Sequence, residues 1–125
     1  MEVAIWIVQV LTAIAFFFAG IGKLTQSREA LIERGMKYVE DLSLTQVRMI
    51  GTLELLGALG LILPSLLNIL PVLSPLAGVG LVIVMIGAML THLRRGETPM
   101  IAVNLVLLLM AAFVAYGRFA LVPIA

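Results

Sequence analysis

The chain contains no cysteine and a single histidine, His92. Without cysteine it can hold no disulfide, no thiolate metal site and no dithiol redox relay. One histidine likewise excludes a polyhistidine metal centre. Charge is scarce as well: Asp, Glu, Lys and Arg make up 12% of 125 residues, and the net charge is +1. That balance carries no electrostatic footprint for nucleic acid. What the chain has in abundance is apolar surface, with 62% hydrophobic residues and a mean hydropathy of +1.19. A soluble domain of this length cannot hide so much of it, because small domains bury a limited share of their area. Long apolar runs with few charges indicate transmembrane helices. The length suggests one domain over residues 1–125. The N-terminus does not read as a cleaved signal peptide: Glu2 stands where a basic region is usual, and the first apolar run is too long.

Four spans follow from the pattern, at about residues 3–24, 44–63, 75–93 and 99–117. Each is long enough to cross a hydrocarbon core of roughly 30 Å at about 1.5 Å per residue. Trp6 and Tyr116 sit near span ends, where aromatic rings favour the interface, and Arg118 is expected at the far interface too. Ser43-Leu44-Thr45-Gln46 reads as a capping box opening the second span, and Pro64-Ser65 as its close. Ser74-Pro75 and Thr98-Pro99 each read as an N-cap followed by proline at the first helical position. Gly96 suits the C-terminus of the third span.

Residues 27–42 are the only charge-rich stretch. Ser27 is a plausible N-cap, and Leu31, Gly35, Tyr38 or Val39, and Leu42 recur at helical spacing against a charged face. An amphipathic helix along the membrane surface fits, and Gly35 keeps a loop with a helical turn in contention. The fold class is therefore all-α: an antiparallel four-helix membrane bundle with an interfacial segment between spans one and two. Lys23, Arg28, Arg34, Lys37, Arg48, Arg94 and Arg95 belong to the side of the first and third connections, and only Arg118 to the other. The positive-inside rule then places those connections in the cytoplasm and both termini outside the cell (inner) membrane.

Within the spans, Glu54 stands out. It lies in Gly51-Thr52-Leu53-Glu54-Leu55-Leu56-Gly57-Ala58-Leu59-Gly60, with no charged neighbour between Arg48 and Arg94. Insertion scales put a carboxylate at a helix centre at about 2.5–3.5 kcal/mol, so it needs a partner, a proton or a polar cavity. Each other span offers one polar residue in the same half: Lys23, His92 and Asn104. Intramembrane polar groups usually face the bundle interior. A shared site of Lys23, Glu54, His92 and Asn104 is expected, with Gln9, Arg48 and Thr91 as possible supporting groups. Ordinary roles compete: Lys23 snorkelling, His92 ending a helix, Asn104 bonding between helices, and Glu54 paired with Lys23 for structure alone.

The run Phe17-Phe18-Ala19-Gly20-Ile21-Gly22-Lys23-Leu24, Glu54 with Leu55-Leu56-Gly57-Ala58-Leu59-Gly60-Leu61, and Thr91-His92-Leu93 resemble the DoxX-like family. The resemblance spans nearly the whole chain. It implies a small four-span membrane protein. The family's namesake is associated with a membrane thiosulfate:quinone oxidoreductase, some members act in membrane redox complexes, and distant relatives resemble receptor-assembly factors.

The first expectation is an accessory subunit that binds a quinone or other amphipathic ligand near Glu54 and serves a membrane redox complex. An assembly factor recognising partner helices through Gly78, Gly87, Ala111 and Ala115 is the alternative. A homodimeric proton-coupled carrier using Glu54 and His92 is a third. The sequence assembles no catalytic nucleophile and no complete metal site, so a stand-alone enzyme is not expected.

Overall fold

The computed structural model describes residues 1–121. Its elements are α1 (Glu2–Thr25), α2 (Arg28–Glu33), a 3₁₀ turn (Lys37–Asp41), α3 (Leu44–Leu67), α4 (Leu73–Arg95), α5 (Thr98–Tyr116) and a π-helical turn (Gly117–Leu121). The spans α1, α3, α4 and the α5 stretch through Ala120 are long and apolar enough to cross a membrane, with mean hydropathies of 1.9 to 2.3. A 24-residue helix such as α3 measures about 36 Å. No strand occurs among the described residues. The protein is an all-α integral membrane bundle.

Packing sets α1 against α3 and α4 against α5, with α3 and α4 joining the two pairs. Small residues govern the approach of α1 to α3. A Cβ on Gly20 would lie 2.7 Å from the Gly51 carbonyl oxygen and 2.8 Å from the Leu55 nitrogen. No other residue fits there without the backbones moving apart. Gly78 plays the same part between α4 and α5, facing the Ala111 carbonyl and Ala115. A core of Phe16, Ala58, Leu61, Leu81, Met85, Ala111 and Val114 fills the middle of the bundle.

Several helix ends differ from the sequence reading. The second span does not stop at Pro64; α3 runs one turn further and ends at Asn68 in the left-handed region (φ 53°). The extra turn holds buried Ser65 where its hydroxyl meets Gln9 Nε2 (3.1 Å) and Ser74 Oγ (2.6 Å). Helix α4 correspondingly begins at Leu73. Ser74 is no N-cap, because its hydroxyl is committed to Ser65. Thr98 is the first residue of α5 rather than its cap, and the Glu97 side chain at the cap position turns to His92 and Arg95 instead. The Ser43–Gln46 capping box forms as read, both bonds present. The interfacial segment is two short pieces. Ser27 caps α2, Gly35 reverses the chain at φ +98°, and the 3₁₀ turn follows. Arg28 ties the pieces together through the carbonyls of Val39, Glu40 and Leu42.

The small-residue seam yields a direct test. Gly20→Ala should lower the unfolding free energy by about 1–3 kcal/mol, the usual cost of overpacking. Gly80→Ala, inside α4 and with nothing within 4 Å of an added Cβ, should instead be neutral or stabilising by up to about 1 kcal/mol. Denaturant unfolding in micelles measures both.

Candidate functional site

A cavity of about 520 Å³ lies in the half of the bundle that carries the first and third connections. Lys23, Glu54, His92 and Asn104 all line it. Each reaches it from a different helix, and each is buried. The last turn of α1 supplies Lys23, the middle of α3 Glu54, the last turn of α4 His92 and the second turn of α5 Asn104. A volume in this range matches ligand pockets, which run about 300–1,000 Å³.

Lys23 Nζ stands 2.7 Å from Glu54 Oε1. The contact follows from the glycine seam one turn away. A Cβ on Gly51 would sit 2.7 Å from Lys23 Cβ, so only glycine lets α1 come close enough for the pair to form. The ammonium and the carboxylate neutralise one another where both are buried. Breaking such a pair from one side is costly, because it strands the other charge.

His92 is held by Glu97, with Nδ1 2.8 Å from Oε1. A carboxylate can only accept, so Nδ1 carries the hydrogen and the ring orientation is fixed. Tyr38, from the 3₁₀ turn, packs edge-on to the His92 ring at 5.0 Å between centroids. Its phenol stands beside the Lys23 ammonium. Burial pushes the Tyr38 phenol above its ordinary range, against the pull of that ammonium, so the hydroxyl stays protonated as a donor. Met36 and Leu42 from the same segment complete the end wall of the cavity. Arg95 anchors the segment by bridging to Glu40 (2.9 Å) and Asp41 (2.6 Å).

Asn104 differs from the other three. Its Nδ2 is buried and has no hydrogen-bond partner among the described residues. A buried, unmade amide hydrogen bond costs about 1–3 kcal/mol, which makes it uncommon in a finished interior. The wall beyond these groups is apolar. Leu53 on α3, Ile83 on α4 and Val103 on α5 line the cavity while exposing 52%, 64% and 49% of their surface. In a membrane that surface meets lipid.

The supporting residues named from sequence divide. Thr91 lines the cavity, its hydroxyl donating to the Gly87 carbonyl (3.1 Å). Arg48 does not reach it; Nη1 instead caps the end of α1 through the carbonyls of Lys23 (2.6 Å) and Gln26 (2.9 Å). Gln9 lies in the opposite half of the bundle. There it donates to the Leu61 carbonyl and to Ser65. Arg118 Nε donates to Gln9 Oε1 at 2.9 Å, and Nη1 meets Glu2 at 3.0 Å. Arg118 is therefore buried against α1, with its guanidinium 4.8 Å over the Trp6 ring. Tyr38 was missed as a site residue because helical spacing placed it on an apolar face. Its phenol was the available signal.

The DoxX-like family model matches residues 7–114, a stretch that includes every cavity residue named here. No curated protein and no solved structure matches the chain.

Two measurements follow from this geometry. Lys23→Met alone should destabilise the protein by about 3–5 kcal/mol, while adding Glu54→Gln should restore most of the loss. A double-mutant cycle on unfolding in micelles reads the coupling, and additive effects would refute a coupled pair. Separately, the hydrogen bond from His92 and the nearby Arg95 hold the Glu97 carboxyl below its ordinary value of 4.5. A depressed carboxyl stabilises the fold above its unfolded value and loses that contribution as pH falls through the folded one. Stability should thus decline below about pH 4.5, and Glu97→Gln should flatten that part of the profile.

Proposed function

The chain belongs to the DoxX-like family, and from that premise we propose that it is a small membrane accessory protein that holds an amphipathic ligand, such as a quinone, for a membrane redox complex. The observation that carries this is the unpartnered, buried amide of Asn104 in a cavity shared with Lys23, Glu54, His92 and Tyr38. A polar head seated there completes the missing bond. The tail leaves along Leu53 of α3 and Ile83 of α4, which line the cavity and are exposed beyond it. Ligand sites combine an apolar wall with a few convergent polar groups in this way.

The assembly reading loses its surface. Gly78, Ala111 and Ala115 are spent on the contact between α4 and α5, and Gly87 lines the cavity. Orientation forms part of the proposal: the first and third connections are cytoplasmic and the N-terminus is external. Seven of the eight basic residues lie at the cytoplasmic end, and the eighth, Arg118, is buried.

Gly87 gives the sharpest test of the site. An added Cβ there meets nothing within 4 Å, and Gly87 lines the cavity, so Gly87→Leu should fold normally while its side chain narrows the cavity. Binding of decylubiquinone to the purified protein in neutral detergent should weaken at least about tenfold, equivalent to about 1.4 kcal/mol. Unchanged affinity would remove the cavity from consideration. For orientation, the absence of native cysteine makes single-cysteine labelling clean. Arg94→Cys should react only from the cytoplasmic side and Asn68→Cys only from outside.

A further inference from the structure

The charges in the cavity decide what kind of head it can take. Three ionisable side chains of the spans line it, and two of them, Lys23 and Glu54, are paired with each other at 2.7 Å. Whichever partner holds the proton, the pair sums to no net charge. The third, His92, already faces a carboxylate of its own in Glu97 at 2.8 Å. Tyr38, the ionisable group from the cytoplasmic segment, is held as the neutral phenol by burial. Arg95, joined to His92 through Glu97, is occupied by Glu40, Asp41 and Glu97. Among the side chains lining the cavity, no positive charge is left without a carboxylate of its own. A phosphate or other oxyanion would have to break the Lys23–Glu54 pair and strand a buried carboxylate, which is unfavourable by several kcal/mol per ion.

The group left without a partner is of another kind. Asn104 Nδ2 is an uncharged donor, nine-tenths buried, in a side chain that lines the cavity. Its complement is an uncharged acceptor such as a carbonyl oxygen. The Tyr38 phenol, which also lines the cavity, is a second uncharged donor. Beyond both, the wall becomes the exposed apolar surface of Leu53 and Ile83. Resting on the ligand reading above, we propose that the site selects a neutral amphiphile with a carbonyl-bearing head, seated on Asn104, and rejects anionic heads including those of phospholipids. The Lys23–Glu54 pair acts as the filter. It closes the cavity to anions by keeping its own charges occupied.

Two probes with the same tail separate the cases: decylubiquinone, with a neutral carbonyl head, and decyl phosphate, with an anionic one. Each is titrated into the purified full chain in neutral detergent. Decylubiquinone should bind at least about tenfold more tightly than decyl phosphate. Asn104→Leu, which keeps the side chain's size, should weaken decylubiquinone about tenfold and leave decyl phosphate unaffected. Glu54→Gln exposes the Lys23 charge and should raise decyl phosphate affinity by about tenfold or more. If Glu54→Gln does not fold, the wild-type ratio and Asn104→Leu decide alone. Equal or tighter binding of decyl phosphate to the wild type, with Gly87→Leu blocking it, overturns the neutral-head assignment while leaving the cavity as a ligand site. Binding of neither probe, or binding indifferent to Gly87→Leu and Asn104→Leu, overturns the ligand reading and this inference together.

Discussion

A carboxylate placed in the middle of an apolar helix has to be neutralised where it stands. The surrounding helices bury it and lipid offers no partner, so the cost of about 2.5–3.5 kcal/mol falls on the fold. Against the 5–15 kcal/mol by which domains are usually stable, that sum is large. The Glu54 carboxylate therefore dictates where α1 goes. Lys23 must arrive within contact distance, and it does so at 2.7 Å. The glycine seam is the means. Gly20 and Gly51 remove the side chains that would hold α1 and α3 apart, and the ion pair forms one turn beyond the closest approach.

That pairing divides the bundle into two unlike halves. Near the termini, Gln9, Ser65, Ser74 and Arg118 form a closed polar cluster with side-chain bonds running from one member to the next. The chain fills this end. Gly117 lets Ile5 lie against it, so α1 and the turn after α5 come together without a gap. In the other half the polar groups surround a space instead of filling it. The segment between α1 and α3 covers the end of that space with Met36, Tyr38 and Leu42. Arg28 and Arg95 hold the segment in place from its two sides. Polar residues alone do not distinguish the two halves. One cluster bonds to itself, and the other leaves the Asn104 amide open.

Much of this was legible in advance, and unevenly. Apolar run length placed the four spans, because a hydrocarbon core demands a fixed length of helix. The Ser27 and Ser43 caps were readable, since a cap involves only residues three apart. The Ser74 and Thr98 caps were not. Ser74 is claimed by Ser65, nine residues away, and Glu97 occupies the cap position before Thr98 while bonding to His92 and Arg95. Pro64 was read as a stop because proline removes a helical donor. The helix passes it because the next turn carries Ser65 into the buried cluster. The candidate site divides the same way. Lys23, Glu54, His92 and Asn104 were visible as polar residues in one half of the membrane, whereas Tyr38 and the placement of Gln9 and Arg48 were not.

The sequence by itself determined the membrane fold, the number of spans and the polar group each contributes to one end, because these depend on hydropathy and helix length. Only the tertiary structure decided that those groups share a cavity, that Arg48 caps a helix, and that Gln9 bonds to Ser65 and Arg118 at the other end. A helix carries its side chains around its full circumference, and sequence spacing gives their relative angles but not which neighbour they meet. Glycines opposite one another across α1 and α3 set that rotation, and with it the partner of Glu54.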